Sequence, residues 1–383
     1  MKKEKAIISG SFDPITKGHE WLILESLKQF SEIVLVIGNN SNKTSFFDIN
    51  TKIKLIESFI INSGLEKKVK IAYSDKLYLV DFAEELSINH IIRGIRDSED
   101  LNYENKIVEV NKIINPNIET HFISCPPEYQ IISSSLVKSL IGFLGWERVI
   151  RKFVSDAVYS EFQKRLYSNH VKNLLHEFFD INLNDESPYS REISLQPENK
   201  LKLDEENIFL SILEKYAEPH RYYHNLQHLS DLYLKLNTWK VNSNEKKILV
   251  MAILFHDIIY DPKKFDNEEL SNELFLKYFS QWSDCNRVSK LILATKDHSI
   301  HKIGEDKLLD IFLDLDLSIL GSSSLEYKNY EKNIREEFNF VPDNIFDIKR
   351  KEIMKKLNIP YRTTEAQLLW GKNRKTNLSI YED

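Results

Sequence analysis

Five short runs rich in Ile and Val punctuate the first 125 residues: KAIISG (5–10), EIVLVIGN (32–39), KVKIAYS (68–74), HIIRGI (90–95) and ETHFISC (119–125). Segments of helical length separate them, among them HEWLILESLKQF, NTKIKLIESFIINSG, LYLVDFAEEL and NYENKIVEVNKII. Parallel strands need long crossovers, so this alternation predicts a parallel sheet with helices on both faces, an α/β Rossmann-like domain over residues 1–162. Such sheets bind ligands at the carboxyl ends of their strands. GSFDPITKGH, GNNSNK, SDKLYL and RGIRD all fall there.

The texture changes near residue 160. SDAVYSEFQKRLYSNHVKNLLHEFF has helical period, and the polar stretch DINLNDESPYSREISLQPENK (180–200) reads as a loop or linker. Amphipathic helices follow to the end, so an all-α domain is expected over 165–383. A chain of 383 residues is too long for one ordinary core, which agrees with two domains. The net charge of -6 argues against a nucleic-acid partner, which would call for a basic stripe. Two cysteines, Cys125 and Cys285, leave no disulfide framework and suit a reducing, cytoplasmic setting. The longest apolar run, ILVMAILF (248–255), is too short for a membrane span.

A glycine-containing turn before a helix offers free amides and a favourable dipole to an anion. In GSFDPITKGH the hydroxyls of Ser11 and Thr16 and the ring of His19 can reach phosphate oxygens. Lys43 follows the second strand, Arg93 and Arg96 close a later one, and Ser133, Ser134 and Ser135 open another helix. Taken singly these are a tight turn, a solvated lysine, a surface arginine pair and a helix cap. All, however, converge on one sheet edge.

These blocks resemble the phosphopantetheine adenylyltransferase family of nucleotidyltransferases, with its (His/Thr)-x-Gly-His signature, over about residues 4–160; Ser11 stands where threonine is usual. The resemblance implies transfer of AMP from ATP to 4′-phosphopantetheine, giving dephospho-coenzyme A and pyrophosphate, with Mg²⁺ bridging the phosphates. It implies that His19 stabilises charge at the α-phosphorus, and that Lys43, Arg93 and Ser11 hold the acceptor phosphate. Arg96, Glu104 and Ser133 to Ser135 would bind ATP, Tyr103 would flank the adenine, and Asn111 and Leu77 would face the pantetheine arm. Phe12 and Thr16 complete that binding set. A homo-oligomer is also implied. Adenylyl transfer to another phosphorylated acceptor is the alternative.

In the second half, PHRYYHNLQHLSDLYLKL puts His224 and His228 one turn apart on an expected helix, and an apolar helix stops at His256 and Asp257. Burying such a doublet costs several kcal/mol unless it is paired or bound to metal. The pattern resembles the HD superfamily of metal-dependent phosphohydrolases over roughly residues 165–350. That resemblance implies a divalent ion (Mn²⁺, Fe²⁺, Mg²⁺ or Zn²⁺) on His228, His256, Asp257 and Asp316. His224, Glu268, Glu273, His298 and Asp314 are second-tier candidates, and only one of Asp314 and Asp316 can ligate directly. The substrate expected is a nucleotide or other phosphate ester. The alternatives are a non-catalytic nucleotide-binding regulatory module here, or a degenerate nucleotide sensor in the first half.

Overall fold

The computed structural model describes residues 4–38, 44–74, 78–179 and 198–382, with backbone only for 198–205. Two compact units emerge, Met1–Tyr159 and Ser160–Asp383.

In the first unit β1 (Lys5–Gly10), β2 (Glu32–Gly38), β3 (Val69–Ser74), β4 (His90–Ile95) and β5 (Glu119–Ser124) form one sheet in the order β3-β2-β1-β4-β5. Every neighbouring pair is parallel, with Ile8 of β1 registered against Leu35 on one side and Ile92 on the other. The crossovers are α1 (Lys17–Ser26), α2 (Ile49–Asn62), α3 (Leu79–Glu85) and α4 (Ser98–Ile114). Ile7, Val34, Val36 and Ile91 form one apolar face and pack with Val80 and Ala83 of α3. Three short helices complete the unit, α5 (Pro127–Gln130), α6 (Ser134–Ser139) and α7 (Trp146–Ile150). The strand order reverses between β1 and β4, and in a doubly wound sheet that point opens a crevice at the carboxyl ends.

α8 (Asp156–Phe179) carries the chain into the second unit, which is helical. Of the polar stretch at 180–200, residues 180–197 lie outside those described, and the last three begin α9 (Glu198–Tyr216). Then come α10 (Leu226–Leu236), α11 (Ser243–Phe255), α12 (Asn267–Phe279), α13 (Cys285–Ala294), α14 (Lys307–Asp316), α15 (Ser324–Glu337), α16 (Asp343–Lys356) and α17 (Thr364–Leu378). Every residue of α11 from Ile248 to Phe255 is buried, so this helix is surrounded by the others. A capping box of Asn242 and Glu245 starts it, and His256 ends it. Among the described residues no helix is long and apolar enough to cross a membrane.

Candidate functional site

At the β1/β4 switch point lies a cleft of about 300 Å³ lined by Ser9, Ser11, His19, Arg93, Arg96 and Ser133 to Ser135, with Trp21 and Tyr129 stacked on its wall. His19 is the third residue of α1, where a capping box usually has Glu or Gln. Its Nδ1 accepts from the Thr16 backbone N–H (3.1 Å) and contacts the Thr16 hydroxyl (2.8 Å). An Nδ1 that accepts leaves the proton on Nε2. Burial, with the Arg96 charge adding to it, lowers the His19 pKa to about 4. His19 is therefore a neutral hydrogen-bond donor at pH 7.

The two arginines differ in what they have left to offer. Arg93 donates from Nε and Nη2 to the buried Glu104 carboxylate, and from Nη1 to the Ser9 carbonyl and hydroxyl. Four of its five N–H donors are thus engaged. Arg96 gives Nε and Nη2 to Asp100 at 3.2 and 3.3 Å and keeps the rest of its fork for a ligand.

A cytidylyltransferase-like family model matches residues 7–140. The phosphopantetheine adenylyltransferase of Chromobacterium violaceum is 36% identical over 156 residues, covering 41% of this chain and 93% of that protein. The chain belongs to the phosphopantetheine adenylyltransferase family. The namesake of Vesicomyosocius okutanii is 42% identical over 143 residues, covering 37% of this chain and 88% of the relative. Among solved structures, the nicotinic acid mononucleotide adenylyltransferase of Plasmodium falciparum complexed with NaAD is 21% identical with a TM-score of 0.32, covering 40% of this chain and 91% of that one.

Within the phosphopantetheine adenylyltransferase unit several side chains expected at the ligand also hold other protein groups. Thr16 is buried in the cleft wall with its hydroxyl on His19, which orients that ring. Phe12, at φ 43°, is buried with its ring 5.1 Å from that of His19 and is absent from the cleft lining. The Glu104 carboxylate, expected at ATP, fixes Arg93. Ser133 caps α6 by accepting from the Leu136 N–H, and Ser134 donates to the Pro14 carbonyl, which leaves Ser135 exposed on the cleft wall. Tyr103 and Asn111 do not line the cleft, and Asn111 stands about 10 Å further along α4 than Glu104. Lys43 and Leu77 lie outside the described residues.

Asp13 was not anticipated from the sequence. It is buried, accepts from the Phe46 and Phe47 amides at 2.9 and 2.8 Å, and takes the Lys138 ammonium at 2.7 Å. Burial pushes its pKa up, but Lys138 and the two amides outweigh that and hold it below the usual value. The carboxylate thereby ties the GSFDP turn to α6 and to the segment before α2. Its signal, an Asp before Pro, is shared with any turn.

The neutral state of His19 is directly testable. In an NMR titration of the ligand-free protein its ring should keep the neutral shift down to below about pH 5, because burial disfavours the cation. A midpoint near the ordinary 6.5 would contradict this.

In the second unit, His228, His256 and Asp257 bring their donor atoms within 4.8 Å of one another. The Nε2 atoms of His228 and His256 are 3.3 Å apart. Asp316 Oδ1 lies 3.4 and 3.6 Å from them, and Asp257 Oδ2 lies 3.1 Å from His256. His256 Nδ1 donates to the Ile253 carbonyl, which aims Nε2 into the cluster. Burial opposes charge on His256, yet Asp257 and Asp316 hold its pKa well above the ordinary value. The same pairing keeps both carboxylates ionised against the pull of burial.

The second-tier residues divide. Asp314 faces away, accepting from the Arg362 and Thr363 amides and the Thr363 hydroxyl. His298 reaches the other oxygen of Asp316 at 2.8 Å. Glu268 is close enough for Asp257 to add to the rise that burial produces in its pKa. Glu273 is exposed, with no bond into the cluster. His224 precedes α10 rather than lying on it, because the Asn225 side chain caps the helix after it. It pairs instead with buried Glu337 at 2.7 Å. Glu337, missed in the sequence, also accepts from the Tyr222, Tyr223 and His224 amides and from the Tyr260 hydroxyl. Arg221, wholly buried, donates to the carbonyls of His224, Asp257 and Ile258 and so locks the doublet to the α10 entry.

Proposed function

We propose that this chain is a bifunctional enzyme: a pantetheine-phosphate adenylyltransferase in its first unit and a divalent-metal phosphohydrolase in its second. The observation that carries the first half is the convergence of His19, Arg96 and Ser135 on the switch-point cleft, in a chain spanning 93% of a named phosphopantetheine adenylyltransferase. In-line attack by the acceptor phosphate on the α-phosphorus of ATP needs alignment and charge stabilisation, with no covalent intermediate. His19 donates Nε2–H to the phosphate oxygens as charge develops, held at that angle by Thr16. Arg96 supplies the free part of its fork to ATP, and Ser11 and Ser135 add hydroxyls. Arg93, with one N–H left over, acts beside Lys43 on the acceptor. Both cleft carboxylates, Asp100 and Glu104, are paired with arginines, so the cleft residues do not themselves make a Mg²⁺ site.

The second half rests on the donor set His228, His256, Asp257 and Asp316. The four separations of 3.1–3.6 Å, His228 to His256, each of these to Asp316, and His256 to Asp257, fit neighbouring ligands on a first-row divalent ion, whose donors at about 2.0–2.1 Å lie roughly 3.3 Å apart. His and Asp ligands suit Mn²⁺, Fe²⁺, Mg²⁺ or Zn²⁺. When bound, such an ion polarises a phosphoryl group and acidifies water. The chain's part is to aim the His256 imidazole through Ile253 and to hold Asp316 through His298. A hydrolysis screen of the purified full chain over nucleotides and coenzyme A intermediates, with Mn²⁺ or Mg²⁺, tests this. We expect phosphate release that a chelator abolishes; none with any of them would leave the helical unit as a binding module.

A further inference from the structure

We propose a second transition-metal site, at the opposite end of the first unit's sheet, formed by His90, His121 and Glu119. It is separate from the switch-point cleft and independent of the phosphohydrolase reading. The register places it: His90 at the start of β4 sits directly against Glu119 at the start of β5, and Ile92 sits against His121. Glu119 and His121 are two residues apart and so project to one face of the sheet. His90 Nδ1 lies 3.0 Å from His121 Nε2 and 3.6 Å from Glu119 Oε2, which is 3.9 Å from His121 Nε2. These separations bracket the roughly 3.3 Å expected between ligands of a four-coordinate zinc ion.

Two further features favour an ion over a simple histidine pair. The other ring nitrogen of His90, Nε2, bonds the carboxylate of Glu4, just before β1. Donation from Nε2–H fixes the tautomer and turns the Nδ1 lone pair toward His121, the carboxylate–histidine arrangement usual behind metal ligands. Among the described residues, neither Glu4 nor Glu119 has a lysine or arginine partner, so two negative charges lie beside two imidazoles. Phe30, following α1, packs its ring against both imidazoles at 5.4 and 5.2 Å, giving the site an apolar wall. Two imidazoles and one carboxylate, with a position open to water, suit Zn²⁺ or its neighbours in the first row over Mg²⁺ or Ca²⁺. Bound there, the ion would clip the amino ends of β4 and β5 together, with Glu4 holding the lead into β1.

The test is the Zn²⁺ content of the full chain after equilibration with Zn²⁺ and removal of unbound ion, compared between wild type and His121→Ala. We expect one equivalent fewer in the variant, and the same difference when both chains also carry Asp257→Asn, which separates this site from the cluster in the helical unit. Glu119 is exposed, so Glu119→Gln should fold as wild type and weaken Zn²⁺ binding at the site by at least about tenfold in a calorimetric titration. Zn²⁺ should also raise the melting temperature of the wild type more than that of either variant. Equal Zn²⁺ content in wild type and His121→Ala, or unchanged affinity in Glu119→Gln, would overturn the proposal.

Discussion

His19→Ala is expected to lower kcat for dephospho-coenzyme A formation by roughly 10²–10³, the range seen when one donor aimed at developing charge is removed. The magnitude follows from how the ring is held. Its Nδ1 is fixed by the Thr16 N–H and hydroxyl, and its ring packs at a tilt against Phe12, so Nε2–H is oriented before substrate arrives. Such a donor acts in the transition state without reorganisation, and its loss should fall mainly on kcat, with a smaller effect on KM. Folding should survive, because the side chain faces the cleft and the turn is anchored separately by Asp13. Steady-state kinetics on the purified variant, with circular dichroism as the folding control, would check this. Near wild-type turnover would remove His19 from the mechanism.

Asp257→Asn is expected to strip the divalent ion from the helical unit and abolish chelator-sensitive phosphate release. Asparagine keeps the volume but not the charge, and His228, His256 and Asp316 then remain as an incomplete set. Adenylyl transfer should stay within about twofold, since the cleft and the cluster draw on separate units and share no residue. Metal content and both activities measured on one preparation decide it. Retained metal with full hydrolysis would mean the ligands are wrongly assigned, and loss of adenylyl transfer from a folded protein would mean the sites are coupled.

The sheet was legible because each strand is a short β-branched run bounded by turn residues, and because parallel connection leaves few topologies. The cleft was legible at the level of chain position: Ser11, His19, Arg93, Arg96 and Ser133 to Ser135 do line one cleft. What could not be read was which way a polar side chain turns. Thr16 and Ser134 have the right chemistry to hold a phosphate and Glu104 is expected at ATP, yet each is engaged by another protein group, and pattern alone does not separate a ligand contact from its support. His224 illustrates a local error. The spacing to His228 fits a helix face, but the Asn225 side chain accepts from the Gln227 and His228 amides and starts the helix one residue too late for that. Glu337 shows a non-local limit, since its partner His224 lies 113 residues away and nothing near Glu337 marks it.

The most direct test of the central claim is pyrophosphate release by the full chain with ATP and Mg²⁺, measured with and without 4′-phosphopantetheine. We predict release that depends on the acceptor and is matched mole for mole by dephospho-coenzyme A in the mass spectrum. A folded protein that releases no acceptor-dependent pyrophosphate would contradict the account.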